Sequence, residues 1–183
     1  ASDVYKRQAK YMARSKAGIS SLDDFAEELQ RLFPVTVSSK IAILFFVFNK
    51  DTLFRFFIVP GKIVERKAIP ITKEKLEQLN IDIYNSLNIY TLSANRAPIE
   101  RGLNPEAKKS KPGLSFEKAV KNATPILLPD SFDERYKHLI VIPAFSIGAF
   151  PFQLLRPYKD SLYLIDKCSF SIAPSLLDLI AIR

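Results

Sequence analysis

The chain has 183 residues, 48% of them hydrophobic, which is enough to bury a sizeable core and excludes a disordered polypeptide. Its longest wholly apolar run, Ile41 to Phe48, spans eight residues, far short of the roughly 20 that a membrane-crossing helix needs. The formal charge of +8 divides into +4 over residues 1–16 and +4 over 95–121, so it marks an end and a loop-like stretch rather than a basic face interleaved with aromatics.

The opening ASDVYKRQ reads as the translation of a sequencing adapter, and Ala9 to Ser15 as the tail of an upstream helix. Residues 1–20 are therefore set apart from 21–183, which carry the fold. Ser20 and Ser21 precede Leu22, Phe25, Leu29 and Leu32, a spacing that lines one face of a helix, with Asp23, Asp24, Glu27 and Glu28 in its opening turns and Pro34 at its end. Three apolar segments follow, Ile41 to Phe48, Thr52 to Val59 and Ile63 to Ile69. Asn49-Lys50-Asp51 and Pro60-Gly61-Lys62 join them, which predicts an antiparallel meander. Thr72 opens a second helix through Leu76, Leu79, Ile83, Leu87 and Tyr90, expected to cover one face of the meander.

Residues 95–114 hold Pro98, Gly102, Pro105, Pro112 and Gly113 and read as a surface loop; Ser115 to Lys121 reads as a short helix. Leu139 to Ile142 is an unbroken aliphatic run ended by Pro143, as expected of a central parallel strand covered on both faces. Its exit loop then leaves at the strand's carboxyl end, where open α/β sheets hold their ligand crevice. The apolar exit segment from Ala144 to Leu155 is expected to pack on the sheet. Tyr163 to Ile165 reads as a short strand and Ser169 to Ile172 as another, stopped by Pro174, with Ser175 capping a helix that starts at Leu176.

The order of these features resembles the CHAT domain, a bacterial branch of the caspase- and separase-like cysteine peptidases. The residues that carry the resemblance are Ile140 to Pro143, Pro151, Phe152, Leu154, Leu155, Tyr163 to Asp166 and Ala173 to Leu176. Where that family has an acidic-glycine turn after the strand, this chain has Ala144, Phe145 and Ser146. The resemblance covers roughly Ser21 onward and implies an α/β caspase-like sandwich fragment, an antiparallel β-meander with helices followed by the first central parallel strand. It also implies a Cys-His dyad beyond Arg183, upstream helical TPR repeats in the parent chain, and a cytoplasmic setting.

A thiol nucleophile needs a histidine beside it to take its proton. The chain has one of each, His138 and Cys168. His138 stands at the amino end of the central strand, away from the crevice. Cys168 has the character of a small buried hydrophobe, although Lys167 beside it could lower its pKa. No catalytic residue is assigned on these grounds. No glycine-rich phosphate loop exists among the five glycines. Asp23, Asp24, Glu27 and Glu28 read as a solvated helix face rather than a metal cage. No cofactor or metal is expected.

Three functional readings follow. The first is a non-catalytic amino-terminal portion of a cysteine peptidase that cleaves protein substrates. The second is a pseudo-protease interaction module that docks helical repeats or a partner protein, and the third a nucleic-acid binder using Lys108, Lys109 and Lys111. One cysteine excludes an internal disulfide framework and fits a reducing cytosol. Because a caspase-like sheet continues past the Ala173 to Leu176 segment, the central strand is expected to lack a neighbour and to present a sticky edge.

Overall fold

The computed structural model describes residues 21–87 and 114–181. The first of these form helix α1 (Leu22–Leu32), held at its start by a reciprocal cap. The Ser21 hydroxyl accepts from the Asp24 amide at 3.1 Å, and the Asp24 carboxylate accepts from the Ser21 amide at 3.0 Å. After a single turn, α2 (Val35–Ser38), the meander runs through β1 (Ile41–Asn49), β2 (Thr52–Val59) and β3 (Lys62–Pro70) as antiparallel neighbours. Gly61 turns β2 into β3 at a φ of +92°, a conformation that side chains disfavour, and its amide donates to the Ala26 carbonyl of α1 at 2.6 Å. A backbone bond thereby ties the hairpin to the helix, beside the packing of Phe25 and Leu29 on Ile58.

Thr72 caps α3 (Lys73–Ser86), whose Leu76 and Ile83 are buried against the meander as the spacing predicts; Tyr90 and the 95–113 stretch lie outside the described residues. Helix α4 (Phe116–Leu127) runs beyond the expected stop at Lys121 and takes Pro125 into its last turn. Proline removes a donor there, and terminal carbonyls lack helical partners in any case. Here an external donor supplies them. Arg55, wholly buried in β2, donates to the carbonyls of Pro125, Ile126 and Leu128 at 2.9, 2.9 and 2.7 Å, while its other nitrogens hold Glu65 of β3 at 2.7 and 3.1 Å.

The aliphatic run forms β4 (His138–Ile142), parallel to β1 in the register Ile41 to His138 through Phe45 to Ile142. The exit segment packs on the sheet in two tight 3-10 turns, Phe145–Ala149 and Phe152–Leu154, burying Ile147, Phe150, Phe152 and Leu155. Tyr163 to Ile165 is not a strand. Leu164–Lys167 is a single helical turn, α5, in which the Asp166 carboxylate accepts from the Tyr163 amide at 2.8 Å. Only Leu164 of that apolar trio is buried, so the run has neither length nor faces for a ladder.

Strand β5 (Ser169–Ile172) pairs parallel with β4, and α6 (Leu176–Ala181) follows, with the Ser175 hydroxyl accepting from the Asp178 amide at 3.1 Å. The sheet order is β3-β2-β1-β4-β5. Strand β4 therefore has a partner on each side, contrary to the expected unpaired central strand; among the described residues the open edge on that side belongs to β5.

One sheet face packs Leu44, Phe46, Leu53 and Phe57 under α3, α4 and the exit turns. The other packs Ile43, Ile58, Ile140 and Ile142 under α1 and α6. The adjacent phenylalanines divide accordingly, with Phe46 and Phe57 on the first face and Phe45 stacked on Phe56 at 5.6 Å on the second. The result is an α/β fold with a five-stranded mixed sheet and helices on both faces.

Replacing Arg55 by Met should cost about 3 kcal/mol, because Glu65 and three helix-end carbonyls lose one donor together; urea denaturation measures it, and an unchanged midpoint contradicts the clamp. Ile140→Asp, which buries an unpaired carboxylate between β1 and β5, should consume most of a stability margin of about 5–15 kcal/mol. The two sheet edges differ. Strand β3 carries Lys62, Glu65, Arg66 and Lys67, whereas β5 has no charge and leaves Ile172 50% exposed. Self-association at about tens of micromolar, weakened by Ile172→Lys, is the expected light-scattering result; a monomer indifferent to the substitution counts against it.

Candidate functional site

Two places on the fold bear on the expected chemistry: the carboxyl edge of β4, where the crevice is expected, and the amino edge, where His138 and Cys168 stand. The carboxyl edge of β4 is built by the exit turn. Phe145 has a φ of 51° and is 60% exposed, with its ring edge-on to Phe48 at 5.0 Å and the Lys73 ammonium 5.3 Å above it. Helix α3 fixes this turn: the Asn80 amide donates to the Ser146 carbonyl and the Tyr84 hydroxyl to the Ala149 carbonyl, both at 2.7 Å. The Asn80 Oδ1 and Ser146 Oγ atoms are buried there without partners among the described residues. No histidine or cysteine lies in this turn.

Both of those residues are at the opposite, amino edge. His138 is the first residue of β4 and pairs in register with Ser169, while Cys168 directly precedes β5. Neighbouring strand positions point to opposite sheet faces. Cys168 joins the core beneath α3 and α4, with its thiol donating to the Ser169 carbonyl at 3.3 Å. The His138 ring lies on the other face, between the hydroxyls of Ser169 at 2.6 Å and Ser171 at 3.0 Å. The sheet separates thiol from imidazole.

The activating role considered for Lys167 is also corrected. Its ammonium is bound to Glu134 at 2.6 Å and to Asp160, and it lies 5.0 Å above the Tyr158 ring. Burial dominates at Cys168 and pushes the thiol up to about 11, with only lesser opposition from the Leu139 backbone hydrogen bond and the charge of Lys137. A thiol held protonated in this way is a poor nucleophile.

Three of the four acidic residues of α1 are engaged in structure: Asp24 caps the helix, Asp23 pairs with Arg66 at 2.6 Å, and Glu28 with Arg31 at 3.4 Å. Lys108, Lys109 and Lys111 lie outside the described residues. One feature that the sequence concealed is an open cleft of about 530 Å³ between α4 and the Arg156-Pro157 segment, lined by Glu117, Lys121, Thr124, Asp130 and Arg156. Arg156 is engaged there, donating to the Tyr163 hydroxyl at 2.6 Å with Glu117 at 3.7 Å. The hydroxyls around His138 were also unanticipated, although the alternation Ser169, Phe170, Ser171 opposite a strand that begins with histidine was their only signal.

Cys168 should resist iodoacetamide in the folded chain at neutral pH and react promptly in denaturant. Its folded pKa lies above the ordinary thiol value, so the unfolded chain ionises first and stability falls as pH rises from about 9 to about 11. Cys168→Ala should flatten that part of the profile; rapid alkylation of the native chain would contradict the burial.

No family model matches the sequence, and no curated protein matches it. Among solved structures, one described as "Alp12 filament structure" is similar at 13% identity and a TM-score of 0.38, over 85% of this chain and 49% of that one. This chain thus spans about half the length of that chain, and the superposition is too loose to carry a functional argument.

Proposed function

We propose that residues 21–183 are the amino-terminal, non-catalytic portion of a CHAT-type cysteine peptidase, acting in the bacterial cytoplasm on a protein substrate. The observation that supports this most directly is the division of the parallel core. Strand β4 delivers an ordered, proline-started turn to the carboxyl edge, where α/β sheets work, yet the single thiol and the single imidazole stand at the other edge on opposite faces. On this reading the carboxyl-edge turn belongs to a site whose operating pair lies elsewhere in the parent chain. The dyad is then encoded beyond Arg183, and upstream helical repeats belong to the same parent chain.

The uncharged edge of β5 favours a second reading, a pseudo-protease module that docks helical repeats or a partner protein. The genomic reading frame past the codon for Arg183 separates the two. Continuation into strand-like segments ending in His-Gly and in Cys, and peptide turnover when that segment is co-expressed, are the expected results. Continuation without those residues favours the docking module, and a frame that closes at once overturns the peptidase assignment. The chain by itself should turn over no peptide panel; turnover lost in Cys168→Ala would also overturn it.

A further inference from the structure

The hydrogen-bond chain around His138 has a direction. The Ser169 hydroxyl is 2.9 Å from the Lys137 carbonyl, which can only accept, so its proton is committed there and its lone pair receives a proton from His138 Nδ1 at 2.6 Å. A neutral imidazole protonated at Nδ1 leaves Nε2 bare, and Nε2 faces the Ser171 hydroxyl at 3.0 Å. The sequence of groups is a hydroxyl, a base with its free nitrogen toward that hydroxyl, and a third group fixing the tautomer.

The surroundings suit this use. Ser171 and His138 are half-buried and Ser169 is exposed, on the face of the open edge strand. Ladder bonds from β5 to β4 use the amides of Ser169 and Ala173, at 2.8 and 2.9 Å. By the alternation of a parallel ladder, the amide of Ile172, next after Ser171, turns outward to the open edge, where it can donate to a developing oxyanion.

We propose that Ser171 is a nucleophile activated by His138, reactive toward activated acyl and phosphoryl esters, with Ser169 as the positioning residue. In the acyl case the Ser171 Oγ bonds to the carbonyl carbon as its proton passes to His138 Nε2. The ester C–O bond then breaks and the leaving alcohol takes that proton. Water attacks the acyl-serine, giving a proton to Nε2, and the C–Oγ bond breaks to release the carboxylic acid and restore the Ser171 hydroxyl. This centre is independent of the peptidase assignment, since it uses neither Cys168 nor the carboxyl-edge turn.

The test treats the intact chain with diisopropyl fluorophosphate, which forms an Oγ–P bond and expels fluoride, and maps the adduct by mass spectrometry. Hydrolysis of p-nitrophenyl acetate is followed in parallel. A single adduct on Ser171 is expected, absent in Ser171→Ala and slowed roughly a hundredfold in His138→Gln. Nitrogen-15 spectra of the imidazole should report an Nδ1-protonated ring in the parent and a mixed tautomer in Ser169→Ala. No adduct on the folded parent chain, an adduct at another residue, an unslowed His138→Gln or a parent ring protonated at Nε2 overturns the proposal. The parent-chain labelling and spectra need no variant, so a substitution that fails to fold leaves the test decisive.

Discussion

The guanidinium of Arg55 is the point at which three elements of this fold become one. It rises from β2 into the core, is fully buried, holds Glu65 on β3 and closes the carbonyl end of α4 through Pro125, Ile126 and Leu128. A buried cation is costly unless its donors are met, and here an acceptor faces each nitrogen. The carbonyls that a helix end leaves over are the ones that the cation needs, so each group removes the other's penalty.

A second constraint is the two-sidedness of the sheet. Strand positions one residue apart are separated by the whole thickness of the backbone, so closeness in sequence says little about chemical contact. Cys168 and Ser169 are adjacent, yet one belongs to the core under α4 and the other to the imidazole of His138. The thiol acquires the properties of its side: burial, protonation and chemical silence. The imidazole acquires those of the other: hydroxyl partners and access to the edge.

Much of the architecture was legible in the residues because its signals are local. The capping serines, the period of α1 and α3, the two turn tripeptides of the meander and the aliphatic run before Pro143 each state their element within a few positions. Short elements escaped, since Tyr163 to Ile165 is too brief to show a period and a hydrogen bond from the Tyr163 amide to Asp166 decides for a helical turn. Helix α4 outran its expected end at Lys121, and the side chain that closes its last turn, Arg55, lies far earlier in the chain. The neighbours of β4, and the hydroxyls that meet His138, depend on the register between β4 and β5, which no local pattern encodes.

The placement of β1 has a consequence for how the chain reaches this state. On one side β1 meets β2 across a tight turn, Asn49 beside Thr52, while on the other Ile41 lies beside His138, after roughly a hundred residues of intervening chain. Pairings of the first kind close in microseconds, whereas the second must bring together distant segments before any contact rewards the lost entropy. The meander is thus the natural early nucleus, and β4 with β5 joins a surface already formed. Until that docking, the apolar strand β1 stands as an unprotected border, so the assembling chain passes through a state whose exposed edge is longer and more apolar than the one that β5 presents in the finished form.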